Sequence, residues 1–452
     1  MMRRFCFILL LPAAVIGPLG AAESRSRHVE YPWDLLKPFV WEFQLATMRL
    51  ADSLHKREPF DEFTRPPDIK DARPLHRKAK LFDEEIKADF LKHDDRLFWS
   101  MIPNDLGDMA IWQGYHTAFR AFKYAATHSP RDRLYLAKSL EGQALLQAGY
   151  GNAFLVRGID PSGGDTHPHR YSRQGDPYDW VEDASGSSLT GHVFGLYCAY
   201  KFGNPEISAR AKDLFLNLTR NLIANDYKLR NADGTATRYG DQRFVGWLIR
   251  TPNVLTTIAI LSFADYLSDD PLFDREKAKL MQGSAVVRGA ARGEVHLLWY
   301  GKEYHQHLAF MAYYVLLGTE SDPELRRLLD KNFNRLFHKF RKEGNSFFSF
   351  VYGTYYPMEP HRLKIAVQTL QEFAFPKKPG SVKNSTDSSI EKIGRWAKQP
   401  LPVWRRPNTD IIWQRDPYQL DQTQGVIHRY SGVDFLIAYW MGRQLGLIDS
   451  KL

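Results

Sequence analysis

Cysteine is nearly absent, with two in 452 residues, too few for a disulfide-stapled scaffold or a four-cysteine zinc module. Long apolar runs are scarce as well. A membrane-spanning helix takes roughly 20 consecutive apolar residues, whereas the stretch at 5–16 has twelve and holds a proline. The mean hydropathy of −0.42 excludes a polytopic membrane protein. No glycine-rich phosphate loop precedes a strand, no Gly-x-Ser-x-Gly elbow occurs and no cysteines are paired. The usual signatures of nucleotide binding, serine hydrolysis and dithiol chemistry are therefore missing. Basic residues are dispersed, which argues against nucleic acid as a partner.

What the chain has is 44% hydrophobic and 13% aromatic residues, enough for a sizeable core and incompatible with wholesale disorder. A formal charge of +9 and a pI near 9.2 tilt the partner list toward anions. Arg3 and Arg4, the apolar run and the small residues Gly20, Ala21 and Ala22 have the layout of a secretory signal over 1–22. Cleavage after Ala22 takes away both arginines and Cys6, lowering the charge to +7 and leaving Cys198 as the single thiol. The expectation is a secreted, periplasmic protein with no stable membrane insertion after cleavage. It has one domain over 23–452, with an N-terminal extension to about residue 100. Cys198, in the apolar run 193–200, reads as a small buried hydrophobe.

One pattern recurs: an apolar helix, a short polar turn ending in proline, then a charged amphipathic helix. The apolar members lie at 118–126, 193–200, 258–267 and 308–317, and the turns carry Ser129-Pro130, Asn204-Pro205, Asp270-Pro271 and Asp322-Pro323. Ser, Asn or Asp can accept the free amide protons that open a helix, and proline at the first helical position sacrifices no hydrogen bond. The helices after the turns keep one apolar stripe, as at Leu134, Ala137, Leu140 and Ala144, or at Ala211, Leu214, Phe215 and Leu218. Further inner helices are expected at 362–373 and 433–441, with outer partners at 388–398 and 40–55. The four turn prolines fall 75, 66 and 52 residues apart; such unequal gaps suit a closed ring with elaborated loops better than an open solenoid of uniform repeats. The expected fold is all-α, an (α/α)6 toroid of six helical hairpins with a few short β excursions. These excursions are a hairpin at 228–240 turning on Asn231-Ala232-Asp233-Gly234, and a strand-like run at 345–356. A flexible loop is expected at 376–387.

In such a ring the segments leading into the inner helices share one face, which gathers helix N-termini and attracts anions. Those segments carry Asp105 and Asp108 with Trp112 and Gln113, then Trp180, Glu182 and Asp183 with His192. They continue with Tyr239, Asp241 and Arg243, then Tyr304, His305 and His307, then Tyr352. Flat aromatic faces stack on sugar rings, while carboxylates and guanidinium groups bind hydroxyls and acids. Acetal cleavage needs one carboxyl to protonate the leaving oxygen and another to activate water, for which Asp105 and Asp183 are the sharpest candidates. Asp108, Glu182 and Asp241 stand in if the register differs by a turn. The competing reading is helix capping, with Asp105 and Asp108 in a capping-box spacing and Ser185 as an alternative cap near Asp183. Tyr304, His305 and His307 with Arg243 make a second candidate set, for proton abstraction beside a uronate carboxylate. Asp165, His167 and His169 have metal-ligand types, but they lie in a Gly/Pro/Asp-rich loop without a third histidine. No metal and no cofactor is expected. Arg157 and Arg173 suit either acidic sugars or plain surface charge, and the Trp404-Arg405-Arg406 run suits either stacking on a glycan or a docking surface. Asn217 and Asn384 match glycosylation acceptors and are expected to be silent in a bacterial-looking export context.

At Asn104-Asp105-Leu106-Gly107 and Trp180-Val181-Glu182-Asp183 the sequence resembles the six-hairpin glycosidases, particularly the unsaturated glucuronyl and rhamnogalacturonyl hydrolases. The resemblance implies acid/base work by Asp105 and Asp183, one donating a proton and activating water while the other assists. The chain departs from the family pattern in the small residues 184–188. The leading expectation is hydrolysis of an acidic, uronate-containing oligosaccharide by a pair of carboxylates. Trp112, Gln113, Trp180, His192, Tyr239, Arg243, Tyr304, His305 and Tyr352 would line the cleft. The alternatives are a uronate lyase using Tyr, His and Arg, and a non-catalytic glycan-binding or envelope-assembly protein.

Overall fold

Proline needs no amide donor at the first position of a helix, and each of the four turn prolines opens one. In a computed structural model of the chain, residues 63–103, 106–149, 154–160, 170–171, 175, 178–242, 251–281, 303–377, 382–406, 409–422 and 428–452 are described. They hold twelve α-helices and only short strands, so the fold is mostly helical. Ahead of Pro130 comes α1 (Leu75–Glu85) and α2 (Met109–Thr127); α3 (Pro130–Ala148), α4 (Gly186–Phe202) and α5 (Pro205–Ala224) follow. Next are α6 (Thr251–Leu267), α7 (Pro271–Met281), α8 (Glu303–Thr319) and α9 (Pro323–Phe340). The last three are α10 (Ser346–Gly353), α11 (Pro360–Gln371) and α12 (Val433–Gln444). Asn204 Oδ1 accepts the Ile207 amide at 3.2 Å and Asp322 Oδ1 the Leu325 amide at 2.7 Å, so both turns cap as their sequence dictates.

The even-numbered helices are buried along most of their length, and the odd-numbered ones keep an exposed side. Each even helix packs on an odd neighbour: α2 on α3, α4 on α5, α6 on α7, α8 on α9, α10 on α11 and α12 on α1. The even helices also pack on one another, α2 on α4, α4 on α6, α6 on α8, α8 on α10, α10 on α12 and α12 on α2. Glycine permits the tightest of these contacts. A Cβ on Gly114 would lie 2.0 Å from the Gly191 carbonyl oxygen, and one on Gly195 would lie 2.5 Å from that of Gly114. Without side chains there, α2 and α4 approach backbone to backbone.

The contacts run start to start and end to end. Trp112 meets His307 near the starts of α2 and α8, with ring centroids 6.4 Å apart, and Phe122 meets Tyr314 near their ends at 5.8 Å. Thr190 bonds Thr256 at 2.7 Å, while Tyr197 packs on Phe263 further along α4 and α6 at 5.1 Å. Phe347 and Tyr355 bracket the other end of the set, touching Tyr115 and Tyr314 respectively. These helices are therefore parallel, and their N-terminal ends lie on one side.

The structure corrects four sequence expectations. The run at 345–356 is helix α10, because Asn345 caps it by accepting the Phe348 amide at 3.1 Å and its aromatic residues are buried around the helix rather than on alternate faces. With α10 buried, the segment at 362–373 belongs to α11, which opens at Pro360 after Glu359 and leaves His361 and Lys364 exposed. The expected outer helix at 388–398 is instead a turn and a small hairpin, Lys392–Ile393 against Trp396–Ala397 around Gly394 at φ +58°. In α3, Leu134 is 54% exposed and Leu136 takes the buried position. The hairpin at 228–240 forms as expected, Lys228–Arg230 pairing with Ala236–Asp241. Residues 40–55, the signal segment 1–22 and the loop at 161–169 lie outside the described residues.

Candidate active site

The strand Asp179–Val181 pairs with Gly158–Asp160 and delivers the chain to the start of α4. Ser185 is the cap there: its Oγ accepts the Ser188 amide at 3.2 Å, and the Ser188 hydroxyl accepts the Ser185 amide at 3.3 Å. This reciprocal box satisfies the helix opening, so Asp183, two residues earlier, is not the cap. Asp183 instead has φ +65°, a left-handed conformation that costs energy for any residue other than glycine and is best tolerated by Asp and Asn. Such conformations persist where the surroundings enforce them. Here its own amide donates to Asn231 Oδ1 at 3.1 Å, and its Oδ1 accepts the Arg238 amide at 2.6 Å.

The other carboxylate oxygen faces Arg157. Arg157 Nη1 lies 3.9 Å from Asp183 Oδ2 and donates to the Asp183 carbonyl at 3.3 Å, while Nη2 lies 3.9 Å from Asp108 Oδ1. Its Nε donates to the Gly107 carbonyl. The Arg157 backbone is fixed too, with its amide on Val181 O at 2.8 Å and its carbonyl on the Ala110 amide at 3.0 Å. One guanidinium thus bridges the segments that open α2 and α4, with a carboxylate on each flank. The Asp108 side chain is 45% exposed, Arg157 20% and Asp183 9%. The arrangement supplies two carboxyl groups, the pair that acid/base cleavage of an acetal uses.

The remaining sequence candidates divide. Asp105 and Arg243 lie outside the described residues, as do Arg173, His167 and His169. Tyr239 is 46% exposed on the hairpin beside Asp183. Trp180 is buried in the strand leading to Asp183, edge-on to half-buried Tyr178 at 5.4 Å. Trp112 is buried near the start of α2. Gln113 is fully buried and spends its amide on protein, accepting from Phe98 N at 2.8 Å and donating to Arg96 O and Ser139 O. His192 is fully buried against Gln147 at 2.8 Å, and desolvation pulls its pKa down to about 3. Tyr304 and His305 are half-buried with ring centroids 3.9 Å apart, and burial raises the Tyr304 phenol. Tyr352 sits at the last turn of α10, the end away from the shared side, where its hydroxyl donates to Asn334 Oδ1 at 2.8 Å and its ring stacks on Phe337.

His307 is fully buried, 3.2 Å from the Tyr115 hydroxyl and 3.3 Å from Gln414 Nε2. Burial pulls its pKa down to about 3 and pushes Tyr115 well above the usual phenol range. Both are neutral groups packed in the protein. Arg406 is buried as well, donating to Leu401 O, whereas Trp404 carries the Lys70 ammonium over its ring at 4.3 Å. Among the described residues no cluster of His, Cys, Asp or Glu is arranged to hold a metal ion, and no helix is long and apolar enough to cross a membrane. No known family model and no curated protein sequence matches the chain.

The sequence reading did not find Asn231, Arg238 or the bridging role of Arg157. Asn231 carried a signal, as the first residue of a hairpin turn, but its partner Asp183 is 48 residues away. Nothing local links them.

Proposed function

We propose that the chain is an exported, glycan-active enzyme that hydrolyses an acidic, uronate-containing oligosaccharide. The observation that supports this reading is the Asp108–Arg157–Asp183 cluster, two carboxylates from adjacent buried helices on either side of one cation. In the proposed mechanism the more open Asp108 protonates the leaving oxygen, and Asp183 orients and deprotonates the attacking water. Arg157 keeps the two carboxylates apart and offers its outer edge to a substrate carboxylate. The resemblance at Asp105 names a third carboxylate to test. The proposed scaffold is the (α/α)6 toroid: in its favour are six buried helices that pack in succession, α12 returning to α2, each with an amphipathic partner.

The lyase alternative draws on Tyr304 and His305, whose rings are half-buried and in contact. One assay separates the two reactions. The mature protein, incubated with oligogalacturonate, oligoglucuronate and unsaturated disaccharides, is expected to release new reducing ends without gain of near-ultraviolet absorbance. A gain in absorbance means elimination and overturns hydrolysis; binding without either product favours a non-catalytic glycan binder.

A further inference from the structure

The hairpin Lys228–Arg230/Ala236–Asp241 is stitched to the carboxylate loop along its length. Ala232 N donates to Glu182 Oε1 at 2.8 Å, Thr237 Oγ1 to Ala184 O at 2.8 Å and Arg238 N to Asp183 Oδ1 at 2.6 Å. The hairpin is therefore a fixed wall of the Asp183 site. On its outer surface Arg238 and Tyr239 are both exposed, and the guanidinium carbon lies 5.1 Å from the Tyr239 ring centroid. Arg238 makes no ion pair among the described residues. Among the described residues, other arginines beside the buried helices are spent on carboxylates, as Arg65 on Glu372 and Arg120 on Asp83. A guanidinium without an ion pair beside an exposed ring, one residue's backbone away from a reacting carboxylate, has the chemistry of a sugar-acid subsite. The fork takes a carboxylate in two parallel bonds, and the aromatic face takes the pyranose ring.

We propose that Arg238 and Tyr239 form a subsite that binds a uronate residue next to the bond cleaved at Asp183, and so set the preference for acidic chains. This rests on the reading of Asp108, Arg157 and Asp183 as the reacting groups. Arg238 contributes to that site through its backbone amide, which any substitution except proline retains, so its side chain can be removed without disturbing Asp183.

The test is a calorimetric titration of hexagalacturonate, hexaglucuronate and hexamannuronate, with cellohexaose as the neutral control, into wild type, R238A, R238K and Y239A. Unchanged thermal unfolding confirms that each variant is folded. At least one acidic hexamer is expected to bind wild type. R238A should weaken it about tenfold or more, R238K should recover only part because lysine lacks the planar fork, and Y239A should lose a few-fold. Cellohexaose should be indifferent to R238A. The proposal is overturned if no acidic hexamer binds wild type, or if R238A binds it as tightly. Turnover reports separately: an acidic hexamer held through Arg238 but never cleaved defeats the hydrolase reading and leaves the subsite standing. Cleavage with an unchanged KM in R238A does the reverse.

Discussion

Two regions near the starts of the parallel helices hold polar and ionisable side chains in opposite settings. Near the starts of α2 and α8, Tyr115 and His307 touch with no exposure to solvent, and half-buried Gln414 bonds His307. At the starts of α2 and α4, Asp108, Arg157 and Asp183 face one another with side chains from 9% to 45% exposed. Desolvation makes the first pair inert, suppressing the charged forms of both groups. In the second set each carboxylate lies 3.9 Å from the Arg157 guanidinium and keeps partial access to water. Tyrosine, histidine, arginine and carboxylates all suit glycan chemistry; access decides which of them can do it.

The largest expected effect separates the regions directly. Asp183→Asn should lower kcat on the cleaved acidic oligosaccharide by about 10²–10⁴, with thermal unfolding near wild type, because asparagine tolerates the left-handed backbone at φ +65°. Kinetics paired with calorimetry check both halves. His307→Ala should do the opposite. Losing a packed ring and stranding the Tyr115 and Gln414 partners should cost about 2–4 kcal/mol of stability, while kcat per folded molecule stays within about twofold. A collapse of kcat with intact stability would put chemistry at the buried pair.

Acid should distinguish the regions next. His192 and His307 are held neutral with pKa values of about 3, and His116 is lowered in the same direction, chiefly by desolvation. An unfolded histidine titrates near 6.5. Between those values the unfolded chain takes up protons the folded one refuses, so stability falls as pH falls from 6.5 toward 3. The loss is up to about 1.4 kcal/mol per pH unit for each histidine. The unfolding temperature should drop from pH 7 to pH 5, and His307→Ala should flatten that slope; a slope unchanged in the variant contradicts the assignment. The smallest effect concerns capping. Ser185→Ala removes the box two residues from Asp183 and should cost about 1 kcal/mol with kcat unchanged, showing that cap and carboxylate are separate devices.

Local rules made much of this legible in advance. The Ser/Asn/Asp-Pro turns located helices α3, α5, α7 and α9, and the Asn231–Gly234 turn located the hairpin. The same rule missed Pro360, because Glu359 offers no side-chain cap. Residues 345–356 misled because Phe, Tyr and Val dominate the run and even Ser346 and Ser349 are buried, so no polar face reveals its period; tertiary burial, together with the Asn345 cap, makes it a helix. At the candidate site, Asp183 stood out from its neighbours in sequence, as did Asp108 as an understudy. Arg157 showed only as a cation suited to acidic sugars or surface charge, and Arg238 not at all, since their roles come from contacts with residues 26 and 55 positions away. Gln113 and His192 looked like cleft residues by position along the helix, yet both face into the packed interior, a matter of helix rotation that spacing alone does not fix.

The most direct test is a double-mutant cycle in kcat/KM on the preferred acidic substrate, comparing Asp108→Asn, Asp183→Asn and the pair. Two carboxylates acting on one bond give strongly non-additive losses, with the double variant hardly slower than Asp183→Asn alone. Losses that simply multiply, or an Asp108→Asn variant as fast as wild type, would mean the two groups flanking Arg157 do not share a reaction.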